Sequence, residues 1–129
     1  MKEKEKDFLS QFDFITESLQ ADEDRLMVST ALIEPDFLNS ACINCEFDLV
    51  GYLIREVEVG DKIMTGCILF DDEGQSYSTV SAGVAKVVKS WADVGFEPSW
   101  DKPVRVKYEQ VRKGTYSYYT IRQVRGHKK

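Results

Sequence analysis

Histidine, proline and long apolar runs are all scarce in this chain. One histidine, three cysteines and three prolines are spread over 129 residues. With His127 as the only imidazole, no Ser/His/Asp arrangement is credible. Cys42-Ile43-Asn44-Cys45 is a Cys-x-x-Cys, but a structural zinc needs four ligands and only Cys67 and His127 remain to complete the set. A redox pair would want a helix N-terminus, whereas this pair leads into an alternating, strand-like run. An odd number of cysteines does not suggest a disulfide framework, and a reducing cytosol fits better. No stretch approaches the roughly 18 uninterrupted apolar residues of a spanning helix, so no membrane partner is expected. No apolar segment follows Met-Lys-Glu-Lys-Glu-Lys, so no secretory signal is expected and the location should be cytoplasmic. No Gly-rich phosphate loop precedes a helix. The expectation is therefore no catalytic centre, no metal and no cofactor: not an enzyme.

What is present is charge, unevenly placed. The net charge is −5. Residues 1–73 hold six Lys and Arg against eighteen acids, a net −12; residues 74–129 hold eleven against four, a net +7. Such asymmetry points to an anionic partner for one surface.

Hydrophobic periodicity divides the chain. In residues 1–24, Phe8, Phe12, Ile15 and Leu19 recur at helical spacing after a candidate N-cap, Asp7. This reads as an acidic amphipathic arm, broken at Asp22-Glu23-Asp24. Three partners suit it: its own domain, a second copy (a homodimer, or cooperative self-association along a coated strand), or another protein such as a replication factor. Residues 25–124 read as one mostly β domain, and 125–129 as a short basic tail. Leu26–Ile33 reads as a leading strand. Ile43–Val57 alternates apolar and polar side chains, with Gly51 marking a bulge or bend. Ile63–Phe70 and Gln75–Val80 complete an antiparallel meander. Ser81 then caps a helix that stops at Gly95. Pro103–Val111 and Tyr116–Val124 form a hairpin with the basic tip Arg112-Lys113-Gly114-Thr115.

A long strand, two more, a helix, then two strands is the order of a five-stranded OB-fold barrel with its helix between strands 3 and 4. That barrel is a platform for oligonucleotides and oligosaccharides, bound through strands 2–3 and the loops after strands 1 and 4.

The run Ile68-Leu69-Phe70-Asp71-Asp72-Glu73-Gly74-Gln75-Ser76-Tyr77-Ser78-Thr79-Val80-Ser81 resembles the single-stranded DNA-binding proteins of small, protein-primed Bacillus phages. The likeness continues through the helix and resumes at Val104-Arg105-Val106-Lys107 and Tyr118-Tyr119-Thr120-Ile121, covering roughly residues 43–124. It implies an OB-fold that coats and protects single-stranded DNA during phage or mobile-element replication, in the host-cell cytoplasm if the chain is phage-encoded. Two departures stand out: the acidic N-terminal arm, and a basic rather than acidic C-terminus.

The residues fit that chemistry by themselves. Binding single strands without sequence preference needs cations along the phosphates and aromatic faces under the bases. Alternation turns Arg105 and Lys107 outward from Val104 and Val106. With Ile121 set in the core, Tyr116, Tyr118 and Arg122 face outward beside Arg112 and Lys113, and Tyr119 faces inward. Tyr77, after the Gly74 turn, is the leading stacking candidate; Phe70, Tyr52, Arg55 and Lys62 follow, and Tyr108 ranks with Tyr52. Asp71-Asp72-Glu73 reads as a solvated turn rather than a divalent-ion site. An RNA-binding or oligosaccharide-binding OB protein, and an OB interaction module whose acidic arm docks a phage or host factor, are the alternatives.

Overall fold

The expected strand 43–57 is realised from residue 46, as the central strand of an open antiparallel sheet, while residues 43–45 form a turn with Asn44 at φ +74°. The structure is a computed structural model that describes residues 8–124. Its elements run β1 (Phe14–Ile15), α1 (Asp22–Ile33), β2 (Glu46–Val59), β3 (Lys62–Asp71), β4 (Ser76–Thr79), α2 (Ala82–Asp93), β5 (Val104–Lys113) and β6 (Tyr116–Gln123). Sheet order is β4-β3-β2-β5-β6, with β1 added to β2. The fold is mostly β, with six strands among the described residues rather than the five expected. Asp7 and the basic tail 125–129 lie outside the described residues.

β2 serves two neighbours on one edge in succession. Its first residues, Glu46 to Leu49, pair with β5; beyond Gly51, Leu53 and Ile54 pair with β1, while β3 runs along the other edge. Where β5 stops, buried backbone groups of β2 would be left without partners, at a cost comparable to lost hydrogen bonds. The N-terminal segment fills that gap. Asp13 N–H donates to the Ile54 carbonyl (2.8 Å), Thr16 N–H to the Tyr52 carbonyl (3.1 Å), and Tyr52 N–H to Thr16 Oγ1 (3.1 Å). The loop after α2 clasps the segment from outside: Trp100 Nε1–H donates to the Ser18 carbonyl and Glu17 N–H to Glu97.

For the described part of residues 1–24, the structure takes the first of the three expected partners, the arm's own domain, and keeps the helix only at residues 8–9. Phe8, Phe12, Ile15 and Leu19 do all bury, but as an irregular strap across their own sheet, extended at Phe14–Ile15 with a 3-10 turn at Glu17–Leu19. Their apolar face is taken up within the chain. Gly51 permits the crossing, since a Cβ there would sit 2.7 Å from Leu19 Cγ and 2.8 Å from Thr16 Oγ1.

The expected strand Leu26–Ile33 is also corrected: it is the C-terminal two thirds of α1. Asp22, Glu23 and Asp24, read as a break, occupy its first turn, where carboxylates favour the positive end of the helix dipole. Glu34-Pro35 ends it.

Two apolar layers result. On the inner face of the sheet, Phe47, Leu49, Tyr52, Leu69, Val106 and Ile121 pack with Val84 and Val88 of α2. On the outer face, the strap and α1 cover Val50, Leu53, Ile68 and Phe70. Burial on both faces explains why the alternation in β2 gives way to a continuous apolar run from Leu49 to Ile54. α2 begins as expected, with the Ser81 hydroxyl accepting from Val84 N–H. No helix among the described residues is long and apolar enough to cross a membrane.

Candidate nucleic-acid interface

The strap covers the outer face over β2 and β3 but leaves the outer face of β5 and β6 open. Register places side chains there in cross-strand pairs: Lys107 with Arg122, Glu109 with Thr120, Val111 with Tyr118, and Lys113 with Tyr116. Val106, Tyr108 and Ile121 go inward, which turns the two tyrosines out as the alternation predicted. Tyr116 is 62% exposed and Tyr118 38%. Their rings lie 6.4 Å apart, inclined by 28°. Gly114, at φ +60°, makes the turn. Lys113, opposite Tyr116, shares the tyrosines' face, and Arg112, opposite Ser117, lies on the other; both are exposed at the tip, and neither pairs with a carboxylate among the described residues. Aromatic faces beside unneutralised cations are what stacking on bases and contact with phosphates require.

Further down the hairpin the cations are already matched. Arg105 grips Asp48 through two hydrogen bonds (3.1 and 3.2 Å) and approaches Glu46 at 3.5 Å. Glu109 accepts from Arg122 at 2.9 and 3.1 Å and lies 3.6 Å from Lys107. The three face outward, as expected, but register sets acids opposite or beside them. On this hairpin the unpaired positive charge is therefore concentrated at the tip rather than spread along β5 and β6.

The Arg122 guanidinium holds the Glu109 carboxyl below the usual glutamate range, with Lys107 helping against the opposing effect of burial. A carboxyl whose pKa is lowered in the folded state adds stability above its unfolded pKa of about 4.3 and loses it as pH falls through the folded value. Glu109→Gln should lower Tm at neutral pH, and the gap from the parent should narrow as pH drops below about 4.3. Circular-dichroism melts across that range check it; a gap that stays constant would show that the pair adds no stability.

Four other candidates are placed elsewhere by the sheet. Tyr52 is fully buried; its hydroxyl donates to the Phe96 carbonyl at 2.7 Å and its ring packs on Phe14. Phe70 is fully buried beneath the strap. Neither can meet a base in this fold. Arg55 and Lys62 sit toward the β2–β3 turn, at the end of β2 opposite its β5 pairing.

Tyr77 is half-buried and turned inward. It pairs with Leu69, an inner-face residue, and its ring stacks on Phe47 at 4.1 Å and 14°. Its hydroxyl donates to Asp71 Oδ2 at 2.7 Å, and burial with that carboxylate pushes its pKa up. Glu46, Asp48, Asp72 and Glu73 line the same hollow, a setting that repels phosphate. Asp71 itself is buried. Its Oδ1 accepts from the Glu73 and Gln75 amides at 2.9 Å each, so within the expected solvated turn one carboxylate organises the backbone. Tyr108 is buried with the core, and Tyr119 stacks half-buried on it at 5.5 Å.

Gly83 was not singled out by the sequence reading. A Cβ there would lie 2.1 Å from the Tyr119 carbonyl oxygen and 3.3 Å from Tyr118 Cδ2. The first turn of α2 thus seats directly on the β6 backbone and backs Tyr118. A glycine inside a helical pattern was the available signal, because it costs about 1 kcal/mol relative to alanine and implies close packing.

Among the described residues, no group of three or more His, Cys, Asp or Glu is placed to hold a metal. Cys45 is exposed, Cys42 half-buried and Cys67 buried. Burial pushes the Cys67 thiol up to about 12, with Lys89 pulling weakly the other way. Since the thiolate is the reactive form, maleimide near neutral pH should label Cys45 and then Cys42, with Cys67 reacting only in denaturant. Mass spectrometry of labelled peptides checks this; rapid native labelling of Cys67 would contradict the inner-layer packing.

Compared with known proteins, the chain matches no family model, no curated protein and no solved structure.

Proposed function

We propose that the chain is a sequence-independent single-stranded DNA-binding protein on an OB-type fold, one that coats and protects strands during phage or mobile-element replication. The observation that carries this reading is the exposed Tyr116–Tyr118 pair with uncompensated Lys113 on the same face and Arg112 at the same tip on the other face. The connectivity supports it. A long first strand is bonded by the second and fourth strands of the unit, and a helix packs between the meander and the final hairpin, as in a partly open OB barrel. The strap and α1 are additions to that unit. The hairpin corresponds to the strand 4–5 loop that OB proteins use for ligands; the strap covers much of the strand 2–3 face. The location in this reading is the cytoplasm of the cell in which replication proceeds.

Fluorescence anisotropy on labelled oligo-dT, repeated with duplex DNA and oligo-U at several salt concentrations, tests it. The reading expects preference for single strands over duplex. Two phosphate-contacting cations give a log–log salt slope of about −1.4, at roughly 0.7 per contact. Arg112→Ala with Lys113→Ala should flatten that slope. No binding at low salt would overturn the reading, and a strong preference for oligo-U would move it to RNA.

A further inference from the structure

The β2–β3 hairpin outruns its neighbours. β4 pairs with β3 only as far as Cys67, so residues 62–66 keep a bare edge on that side. Asp71 N–H, further along β3, donates to the Gln75 carbonyl on the β4 side. Backbone groups alternate in direction along a strand, so Ile63 and Thr65, an even number of residues from Asp71, turn their N–H and C=O to the bare edge. No backbone partner meets them there among the described residues.

Beside that edge runs a groove of about 400 Å³. Ile63, Met64 and Thr65 line one side of it, and Ala85, Lys86 and Lys89 of α2 the other. Ile63 is 65% exposed. Neither lysine pairs with a carboxylate among the described residues. Proteins usually guard a bare edge with charge, proline or cover. The other bare edge of this hairpin, on β2, carries Glu56 and Glu58. The stretch Ile63-Met64-Thr65-Gly66 carries neither charge nor proline.

We propose that a second copy of the chain docks on this edge, β3 against β3, antiparallel, about a two-fold axis that passes through the Met64 pair normal to the sheet. Ile63 of each copy then faces Thr65 of the other, and each such pair exchanges both hydrogen bonds. Met64 faces its own counterpart and Lys62 faces Gly66, so no like charges oppose. Such an axis keeps the inner faces of both copies on one side of the joined sheet. Within a hairpin, Glu58 pairs with Ile63 and Glu56 with Thr65. The glutamates of the second copy therefore come level with Thr65 and Ile63 of the first, one strand beyond the edge. There they meet the unmatched Lys86 and Lys89 on the groove's far wall. A nucleic acid would answer the lysines but leave the edge N–H and C=O groups unpaired. The inference stands apart from the single-strand reading.

Sedimentation velocity on the full chain, from micromolar to millimolar, should show monomer giving way to dimer, weakly because the contact is short. Lys86→Glu with Lys89→Glu should weaken the dimer roughly tenfold, as exposed attractive pairs turn repulsive. Glu56→Lys with Glu58→Lys should do the same. A one-to-one mixture of these two variants should restore the dimer, since each reversed lysine again meets a reversed glutamate. All four side chains are exposed, so the fold should survive both changes. A cross-link locates the contact. Cysteines at the Met64 pair would have Cα atoms about 4.5 Å apart, within disulfide range. With Cys42→Ser and Cys45→Ser removing the accessible thiols, Met64→Cys should form a disulfide-linked dimer on oxidation. Glu58→Cys, a strand further out on each copy, should not.

The proposal is overturned if the parent stays monomeric at millimolar concentration. It is equally overturned if a dimer forms but ignores both charge reversals, or cross-links no better through Met64→Cys than through Glu58→Cys, since the contact would then lie elsewhere. If the Ile63 and Thr65 amides shift with oligo-dT and not with protein concentration, the groove takes nucleic acid and this proposal fails. Failure of oligo-dT to bind at all, with the dimer still forming through Met64, would sink the single-strand reading alone.

Discussion

Alanine at both Tyr116 and Tyr118 is expected to weaken oligo-dT binding by on the order of a hundredfold without unfolding the protein. Each stacked base contributes about 1–3 kcal/mol by alanine substitution. The two rings lie 6.4 Å apart, close enough to act on neighbouring bases and to couple, so their losses should fall short of a simple sum. A combined loss near 3 kcal/mol corresponds to roughly a hundredfold. Neither ring belongs to the two apolar layers, so Tm should change little. Tyr77→Phe is the matched comparison. It removes a hydroxyl bonded to Asp71 from the inward-facing tyrosine and should leave oligo-dT affinity unchanged. Anisotropy titrations of the three proteins decide the matter. If the double variant binds like the parent while Tyr77→Phe does not, the platform is the meander and not the hairpin.

Gly83→Ala is expected to destabilise the fold by about 2 kcal/mol or more, within or above the range for overpacking, and to lower Tm by several degrees. Helix propensity alone argues the other way, since alanine is better than glycine inside a helix by about 1 kcal/mol. The packing decides the sign. The new methyl would stand 2.1 Å from the Tyr119 carbonyl oxygen, and a strand backbone cannot rotate aside as a side-chain tip can. Either α2 lifts from β6 or its first turn unwinds. Both outcomes shift the backing of Tyr118, so oligo-dT affinity should fall along with stability. A thermal melt and one binding isotherm test both halves. A variant as stable as the parent would mean that helix and strand do not touch at that distance.

β5, β6 and α2 were legible because each buries one side in a clear period, two in the strands and 3.6 in the helix with Ser81 and Gly95 marking its ends, whereas β2 and β3, buried on both faces over part of their length, were legible as short apolar runs bounded by turns. The first third of the chain was not. Leu26-Met27-Val28 and Ala31-Leu32-Ile33 are apolar around the whole helix, with Leu26 and Ile33 each 77% exposed, so periodicity carried no message there. In the strap beyond Leu9, helical spacing matched the buried positions by coincidence, because an irregular segment laid over a sheet also dips inward at intervals.

Of the candidate site, Tyr116 and Tyr118 followed from anchoring Ile121 in the core. Tyr77 did not, because only the pairing across the Gly74 turn shows that it joins Leu69 and Phe47 inside. The neutralisation of Arg105 depends on Asp48 and Glu46, 57 and 59 residues away in sequence and adjacent only once β2 meets β5. Local pattern cannot reveal such pairs.

The strap also sets the sequence of events during synthesis. Thr16 leaves the ribosome 36 residues before its partner Tyr52 and well before Phe70, which the strap must cover. The strap is therefore made before the surface it covers and is among the last pieces of this fold to find its place. Until β3 is complete, Phe8, Phe12 and Leu19 travel uncovered, within a segment rich in negative charge. Like-charge repulsion keeps such nascent segments apart when their apolar side chains would otherwise bring them together. In this chain the acids Asp13, Glu17, Asp22, Glu23 and Asp24 stand beside those side chains.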